Sequence, residues 1–535
     1  MNYKEECYIL ALDLGTSSAK IGLIDRKGHV IEMTTEPYPI FFTENGGAEQ
    51  NPEDWWKAFL SGAKKIIQSH TNKKEHIKGI SISAQWSGTV CVDKEGNPIR
   101  NAISWMDTRG AIHVQNKIKT FPSIEGYNIF QLMRFINLTG GAPTHSGKDP
   151  IAHILYLKEE EPEIYKKTFK FLEPKDFINL KLTGKYYASY DSITLHWLTD
   201  NRNIYKIYYH PALLRFFNIE KEKLPELIPP CSVIGTILPE VAKQLELRGD
   251  VKVVSGTPDI QSAIIGSGAV KDYEGHIYIG TSSWISTHVP FKKTDLLHNM
   301  ASLPAALPGK YFVANDQETA GYSLTYFIEK LLFPDDILTK KMNITSSRDQ
   351  IYEDINEIAR QSPPGSNGVI FTPWLLGERT PVEDHFIRAG FYNISVHNER
   401  SDFVRAIFEG VAFNNRWLLI YIEKFIKRKF DYLNFIGGGA KSDLWCQILA
   451  DVLNKKIRQV ENPVEANLRG AGLLGLYTLN YITLDDISIH IPIRKEYEPV
   501  QENVKLYNEI FKQYLEIYKK NKLIYKNLNK NKIKG

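Results

Sequence analysis

The segment Tyr8-Ile-Leu-Ala-Leu-Asp-Leu-Gly15-Thr16-Ser17-Ser18 runs as an apolar strand into a turn of small polar residues, and a second apolar run then continues to Asp25. Far downstream, His276-Ile-Tyr-Ile-Gly280-Thr281-Ser282-Ser283 repeats this design and is followed by the apolar Trp284-Ile285. Each segment predicts a β-hairpin, because strand-forming residues flank a turn of glycine and hydroxyl residues. Two copies half a chain apart indicate a duplicated domain, with a boundary near residues 255–275.

Helical and strand-like patterns alternate around the two hairpins. Helices are predicted for residues 53–69, 175–182 and 402–427, and strands for residues 77–84 and 434–436. Strands and helices that interleave along a whole chain are typical of the α/β class. The sequence therefore predicts an α/β fold.

Composition narrows the range of functions. The chain has 535 residues, 43% hydrophobic and 24% charged, which is typical of a folded protein with two or more domains. Lys and Arg total 66 against 62 Asp and Glu, a net charge of +4 that disfavours nucleic acid or an anionic membrane as a partner. Much of the excess lies in the lysine-rich stretch 519–534, at the end of a predicted helix from about Val500 that frays into a disordered tip.

The cysteines and the N-terminus predict a cytoplasmic location. Cys7, Cys91, Cys231 and Cys446 are scattered without a CxxC pair, as is usual for reduced thiols. The N-terminal residues lack the basic, then apolar, pattern of a signal peptide. No run approaches the about 20 apolar residues that a membrane-spanning helix needs.

A carboxylate followed by glycine and hydroxyl residues stands at the end of the first predicted strand. Asp13 can hold hydrated Mg²⁺ beside phosphates, while Gly15 lets the backbone come close. Thr16 and Ser17 offer hydroxyl and N–H donors to phosphoryl oxygens. The second copy, Gly280-Thr281-Ser282, lacks the acid and suits phosphate contact alone. Two ordinary hairpin turns are the structural alternative.

Two further glycine-containing turns are candidates for the same chemistry. Gly437-Gly438-Gly439-Ala440 lies between a predicted strand and a predicted helix, where the backbone can approach a nucleotide, although it matches no P-loop and a plain turn is the alternative. Asp259 closes the turn Ser255-Gly-Thr-Pro-Asp259 after an apolar strand. A carboxylate there can accept a proton from a substrate hydroxyl in phosphoryl transfer, or it can simply stabilise the turn.

Two classes of enzyme are disfavoured by missing motifs. The fourteen histidines form no H-E-x-x-H or similar cluster, which argues against a zinc enzyme. The sequence also lacks the G-x-S-x-G elbow of many serine hydrolases.

Taken in order along the chain, these segments resemble the FGGY family of carbohydrate kinases, and within it the xylulokinase-like members. The resemblance runs from about residue 8 to about residue 479. Besides the two hairpin turns, the motifs that carry it are Gly47-Ala-Glu-Gln-Asn-Pro-Glu-Asp-Trp-Trp56, Ile82-Ser-Ala-Gln85-Trp86-Ser87-Gly88, Trp105-Met-Asp107-Thr-Arg109, Phe171-Leu-Glu-Pro-Lys-Asp176, the region 363–381, Gly437-Gly-Gly-Ala-Lys-Ser442 and the region 465–471.

The resemblance implies two duplicated actin-like (ribonuclease H-like) ATPase domains around a central cleft. It places an N-terminal domain at residues 1–268, with the sugar side and the first phosphate motif, and a C-terminal, nucleotide-side domain at 269–500. Residues 501–535 form the terminal helix and tail. It also implies ATP and Mg²⁺ as cofactors, with ATP and a small sugar as the binding partners. A homodimer is left open.

The resemblance assigns roles residue by residue. It implies Asp259 as the general base, and Mg²⁺ near Asp13 and Asp259. The nucleotide would contact Gly15, Thr16, Ser17, Gly280, Thr281, Ser282, Gly438, Gly439 and Ala440. The sugar would contact Gln85, Trp86, Ser87, Asp107, Asp259 and Ile260.

Three positions depart from the xylulokinase pattern. Trp86-Ser87 stands where those enzymes carry Met-His, and Ile260 where they carry Asn after the catalytic Asp. A polar set that would bind sugar hydroxyls is thereby bulkier and more apolar, which can shift selectivity strongly. D-Xylulose, giving the 5-phosphate, is the first expectation. Ribulose, a heptulose, a polyol, a deoxy-sugar, a non-catalytic sugar- or nucleotide-binding regulator and another actin-like ATPase are the alternatives.

Overall fold

Two mixed β-sheets, one from each half of the chain, organise the fold. The structure is a computed structural model that describes residues 6–124, 126–334, 336 and 348–530. The first sheet has the order β5-β6-β4-β1-β2-β3 and the second β9-β10-β11-β8-β7-β12-β13-β14. Their strands are β1 Tyr8–Leu14, β2 Ser18–Asp25, β3 Val30–Pro37, β4 Ile77–Ala84, β5 Val233–Thr236, β6 Lys252–Val254, β7 Gly275–Ile279, β8 Ser283–Val289, β9 Thr294–Asp295, β10 Met300–Pro304, β11 Tyr311–Ala314, β12 Tyr432–Ile436, β13 Lys456–Val460 and β14 Ile493–Tyr497.

Helices cover both sheets, so the predicted α/β class is confirmed. They are α1 Pro52–Ser69, α2 Ala111–Ile118, α3 Ile129–Thr139, α4 Pro150–Glu160, α5 Pro162–Lys167, α6 Pro174–Thr183, α7 Pro211–Phe217, α8 Pro239–Leu245, α9 Asp259–Gly266, α10 Gly321–Phe327, α11 Arg348–Gln361, α12 Arg400–Ile426, α13 Asp443–Leu453, α14 Ala466–Thr478, α15 Leu484–His490 and α16 Gln501–Asn529. Short strands outside the two sheets are Phe41–Phe42, Ala48–Gln50, Val90–Val92, Ala102–Ile103, Ser123–Ile124, Tyr127–Asn128, Lys170–Leu172, Tyr187–Ser189, Thr199–Asp200, Tyr208–Tyr209, Glu226–Ile228, Ile370–Thr372 and Gly390–Tyr392, while Thr257–Pro258 adds to β4.

The two predicted hairpins are both formed and occupy equivalent places. Strands β1 and β2 pair antiparallel, as do β7 and β8. In each sheet the first strand of the hairpin also pairs in parallel with a later strand, β1 with β4 and β7 with β12. The sequence repeat is therefore a repeat of topology as well.

Strand β1 is buried on both faces, which explains its unbroken apolar run. Leu10 and Leu12 belong to a core that includes Trp55 and Trp56 of α1, while Ile9 on the other face packs with residues of α9 and α14. Trp55 is 2% and Trp56 9% exposed, so both indoles pack against the core. A strand with helices on both faces needs apolar side chains at every position.

Helices α9 and α14 cross at two glycines between the sheets. A Cβ on Gly266 would overlap the carbonyl oxygen of Ala466, and a Cβ on Gly470 that of Ser262. Helix α14 also packs on β1, β2 and β4, although it comes late in the chain. It therefore ties the end of the second half to the first sheet, and the domain boundary after residue 268 stays a prediction.

The C-terminal helix packs along the second half of the chain. Helix α16 continues to Asn529 through most of the lysine-rich stretch, and the predicted tip, residues 531–535, lies outside the described residues. Tyr514 is fully buried against Trp374 and Phe413. The four cysteines are free thiols, as predicted. Within the described ranges, no helix combines the length and apolar character that crossing a membrane requires.

Candidate active site

Asp13 lies at the edge where β1 and β4 end. Only 4% of it is exposed, and it accepts a hydrogen bond of 3.2 Å from Ser83 Oγ on β4. Lys20 Nζ stands 3.6 Å from its Oδ2. Burial raises the pKa of Asp13, and the Lys20 charge opposes that shift. The carboxylate thus stands at the strand-end edge where open α/β sheets bind ligands.

Asp259 is the first residue of helix α9, which corrects the expectation of a glycine-rich turn. Its Oδ1 accepts a hydrogen bond of 2.8 Å from the N–H of Ile260. Burial, and next the negative charge of Asp13, raise the pKa of Asp259 to about 7, and Asp316 adds a smaller charge effect. A carboxyl group with a pKa near neutrality is suited to accept a proton during turnover.

The first phosphate turn, the turn at residues 15–17 for which phosphate contact is predicted, is held by side chains from several elements. Gly15 N–H donates to Ser18 O at 3.0 Å, and the Tyr38 hydroxyl donates to the carbonyl of Gly15. The hydroxyl of Thr16 accepts from Trp105 Nε1 at 3.1 Å. The side chain of Thr16 is therefore already engaged, whereas that of Ser17 is exposed.

The second phosphate turn, residues 280–282, is hydrogen-bonded to the start of α10. Gly280 N–H donates to Ser282 O at 3.0 Å, and Thr281 O accepts from Ala320 N at 2.9 Å. The hydroxyl of Ser282 donates to Asp316, while Thr281 is exposed. The turn is therefore fixed in place by hydrogen bonds and leaves Thr281 exposed.

Of the three residues predicted to contact the nucleotide in the glycine segment 437–440, Gly438 alone faces open space. A Cβ on Gly438 would meet no atom within 4 Å, whereas one on Gly439 would lie 2.9 Å from Ile279 Cγ2. Ala440 is fully buried, and its carbonyl accepts from Gln459 Nε2 at 2.7 Å. Gly439 and Ala440 therefore support the segment from the core side, and Gly438 is the part that a ligand can approach.

The predicted sugar segment 85–88 uses its polar groups to hold its own shape. Gln85 Nε2 donates to Gln50 Oε1 at 2.8 Å, and Trp86 Nε1 donates to Ser192 O at 2.7 Å. Ser87 has a left-handed backbone, φ 68°, and its hydroxyl donates to Lys148 O at 2.8 Å. The other amide atom of Gln85, Oε1, is buried without a hydrogen-bond partner.

Trp86 and Ile260 lie together in an apolar cluster that joins the two halves of the chain. They pack with Ile264 of the first half and with Leu303 and Phe312 of the second. The rings of Trp86 and Phe312 have centroids 6.2 Å apart. Two of the three positions that differ from the xylulokinase pattern therefore belong to one apolar cluster.

Asp107 is 1% exposed and fully engaged in the first half of the chain. Its Oδ2 accepts from the N–H of Ala48 at 2.9 Å and pairs with Arg109 Nη2 at 2.6 Å. Arg109 also reaches Glu49 at 2.6 Å. These contacts give Asp107 a structural role in holding the segment around Ala48.

A charged group that the sequence analysis did not identify lies next to the second phosphate turn. Arg379 Nη1 lies 3.1 Å from Asp316 Oδ2, and Arg379 Nε lies 2.5 Å from Glu318. Burial raises the pKa of Asp316 to about 6, although Arg379 opposes the shift. Lys148 of the first half is near enough for its pKa to be lowered, first by burial and next by the Arg379 charge. Arg379 lies in the polar turn 377–381, while nothing in the local sequence singled out Asp316.

A buried polar network joins the sugar segment to the segment that carries Asp259. Glu173 Oε2 accepts from Gly88 N at 3.1 Å, and Lys175 Nζ donates to Ser255 O at 2.9 Å. Lys175 also pairs with Asp176, and both side chains are buried. One short stretch at the start of α6 thus holds the backbone of both segments.

Replacing Lys175 by methionine is expected to destabilise the protein by about 3 kcal/mol, because it leaves a buried carboxylate without its partner. Urea unfolding of the variant and the wild type measures this loss. The double variant Lys175→Met/Asp176→Leu removes both charges and should recover part of the stability. If the single and double variants were equally destabilised, the ion pair would not be the cause.

Known proteins of one family are similar to this chain along nearly its whole length. Sequence profiles of the FGGY family of carbohydrate kinases match residues 8–266 (N-terminal domain) and residues 275–479 (C-terminal domain). A xylulose kinase of Staphylococcus epidermidis is 30% identical over 508 residues, covering 93% of this chain and 94% of that protein.

Two solved structures give the same picture in three dimensions. The gluconate kinase of Lactobacillus acidophilus superposes with a TM-score of 0.82 at 25% identity, covering 98% of this chain and 100% of that one. A ligand-bound xylulose kinase of the same organism has a TM-score of 0.81 at 25% identity, covering 97% and 99%.

Proposed function

The chain belongs to the FGGY family of carbohydrate kinases and is an ATP-dependent sugar kinase, and from this premise we propose that it phosphorylates D-xylulose on the 5-hydroxyl. The similarity to a xylulose kinase over 93% of the chain supports this substrate. The observation that carries the chemistry is the position of Asp259, a carboxyl group with a pKa of about 7 beside Asp13.

In the proposed reaction Asp259 acts as the general base. The sugar 5-hydroxyl gives its proton to the Asp259 carboxylate as its oxygen forms a bond to the γ-phosphorus of ATP. The bond from that phosphorus to the β,γ-bridging oxygen breaks, and ADP leaves with the electron pair. Placing Asp259 at a helix start fixes the direction of its carboxylate, since Ile260 N–H holds one oxygen.

Mg²⁺ fits the carboxylates of this cleft as a shared, partly hydrated ion. Within the described residues, no group of three or more His, Cys, Asp or Glu side chains is placed to hold a metal ion. Mg²⁺ commonly binds one or two carboxylates together with substrate phosphates and water, and Asp13 and Asp259 offer such a pair. When bound, the ion would neutralise charge that builds up on the phosphates.

Three backbone turns would hold the nucleotide. We assign the phosphates to the turns at residues 15–17 and 280–282, and the adenosine side to Gly438. The exposed Thr281 and the open space in front of Gly438 support this assignment. Gly439 and Ala440 would act indirectly, by fixing the course of the chain at Gly438.

Replacing Gly438 by valine tests the adenosine side. The Cβ of the new side chain would meet no protein atom within 4 Å, so stability should change little. It would, however, fill space that the nucleotide needs, and we expect ADP affinity to fall by about tenfold or more in calorimetric titration. Gly249→Val is the matched control, because Gly249 is exposed and also open. Unchanged ADP affinity in the Gly438 variant would contradict the assignment.

D-Gluconate is the second candidate substrate. A gluconate kinase superposes on the chain with a TM-score of 0.82, and Lys148, whose backbone carbonyl accepts from Ser87, carries a half-buried cation near Arg379. A carboxylate-bearing sugar would be favoured by such a cation, whereas D-xylulose carries no charge.

A panel of sugars with Mg·ATP separates these proposals. ADP release should be stimulated most by D-xylulose. The other compounds, each assayed separately, are D-ribulose, D-gluconate, a heptulose, a deoxy-sugar and a polyol. A higher kcat/KM for D-gluconate than for D-xylulose would move the assignment to the second candidate. Light scattering during size-exclusion chromatography of the same sample tests the homodimer, which stays a prediction.

A further inference from the structure

Tyr278 extends along its strand to the second phosphate turn. Its neighbours Ile277 and Ile279 are fully buried in the core, so Tyr278 points to the opposite face of β7. Residue 280 lies on that same face, and a Cβ there would overlap the Tyr278 hydroxyl oxygen. Gly280 is therefore needed to make room for the phenol, whose hydroxyl lies at the turn.

The ring also reaches the end of the neighbouring strand. Tyr278 is paired with Ile436 of the parallel strand β12, and a Cβ on Gly437 would lie 3.0 Å from the ring atom Cε2 of Tyr278. The phenol thus spans the carboxyl ends of β7 and β12. In open α/β sheets this edge between parallel strands is where ligands bind.

An indole stack fixes the orientation of the phenol. Tyr278 stands opposite Trp284 in the hairpin, with ring centroids 3.9 Å apart and planes 9° from parallel. Trp284 Nε1 donates to His276 Nε2 at 3.0 Å, and the other ring nitrogen of His276 contacts Ser286 O at 3.2 Å. A side chain held in this way needs little ordering when a ligand arrives.

Burial and the neighbouring charges keep the phenol of Tyr278 protonated. Burial, and then the negative charges of Asp259, Asp13 and Asp316, raise the pKa of Tyr278 to about 12. The group is therefore a neutral hydrogen-bond donor throughout the neutral range. A neutral donor can approach phosphate oxygens without adding charge to a cleft that already holds three carboxylates.

We propose that the Tyr278 hydroxyl is a direct phosphate ligand, donating a hydrogen bond to a phosphate oxygen of the bound nucleotide. The inference rests on the proposed placement of the phosphates at the turns 15–17 and 280–282. It assigns a side-chain contact to a site otherwise made of backbone turns and carboxylates. The site would then recognise the phosphates from both hairpins, through Ser17 on one side and Tyr278 on the other.

The variant Tyr278→Phe removes the hydroxyl and keeps the ring stacked on Trp284. We expect calorimetric titration to show ADP affinity reduced by about tenfold, because a hydrogen bond to a charged group is lost. The KM for the sugar and the melting temperature should stay at wild-type values. Tyr432→Phe is the control, since this hydroxyl of β12 lies 3.5 Å from Glu274.

Two results would overturn the proposal. One is an ADP affinity of Tyr278→Phe within about twofold of the wild type. The other is tighter ADP binding by Tyr278→Ala, which would mean that the phenol obstructs the site. Because ADP binding is measured without a sugar, an incorrect assignment of D-xylulose would appear separately, as wild-type enzyme that binds ADP and leaves D-xylulose unphosphorylated.

Discussion

Replacing Asp259 by asparagine is expected to lower kcat by about a thousandfold or more, while ADP affinity stays near the wild-type value. The amide keeps the shape of the side chain but cannot take the proton of the sugar hydroxyl, and loss of a general base commonly costs 10²–10⁴-fold. Steady-state kinetics with D-xylulose and calorimetric titration with ADP measure the two quantities. Asp259→Ala should behave in the same way. A variant with full activity would show that another group accepts the proton.

The pH dependence of the wild type tests the same assignment. Because Asp259 must be ionised to act as a base and its pKa in the unliganded protein is raised to about 7, kcat/KM should fall as the pH drops below 7. The raised pKa also means that ionising Asp259 costs stability, a cost that appears as the pH rises from the unfolded value near 4 through 7. Asp259→Asn should therefore melt at a higher temperature than the wild type at pH 8, with a smaller difference at pH 5.

Replacing Gly470 by valine is expected to prevent stable folding. Even a Cβ at this position overlaps the carbonyl oxygen of Ser262, where α14 crosses α9. The backbones would have to separate, and overpacking of this kind costs about 3 kcal/mol or more. Urea unfolding, or the yield of soluble protein if the variant does not accumulate, measures the effect.

Gly249→Val serves as the control for this variant. Gly249 is exposed and has no atom within 4 Å of a Cβ position, so valine there should change stability little. A Gly470→Val protein as stable as this control would contradict the close crossing of α9 and α14. Since α9 begins with Asp259, a milder change such as Gly470→Ala should also reduce activity by moving the base.

Local patterns predicted the elements that carry the site. The apolar run before Asp13 and its echo before Gly280 predicted both hairpins, and the helices predicted at 53–69, 175–182 and 402–427 are formed within about three residues. The α/β class followed from the alternation of helical and strand-like patterns, whereas the expectation that the duplicated domains are actin-like came from the family resemblance. It is confirmed by the family profiles and by the structural neighbours.

Contacts between distant segments were not predictable in this way. The crossing of α9 and α14 depends on two glycines 204 positions apart, which no local periodicity connects. Asp316 lies next to the second phosphate turn because it follows strand β11. Its sequence neighbours Asn315 and Gln317 form no motif that would indicate this position. The same holds for Asp107, whose partner Ala48 lies in a separate strand.

Identification of the product decides whether the γ-phosphoryl group of ATP is transferred to the 5-hydroxyl of D-xylulose. Enzyme, Mg·ATP and D-xylulose labelled with ¹³C at carbon 5 are followed by phosphorus and carbon NMR. We expect ADP and a phosphate ester in equal amounts, with phosphorus coupling at carbon 5 and no such product from Asp259→Asn. ADP released together with inorganic phosphate at a rate unaffected by the sugar would contradict it.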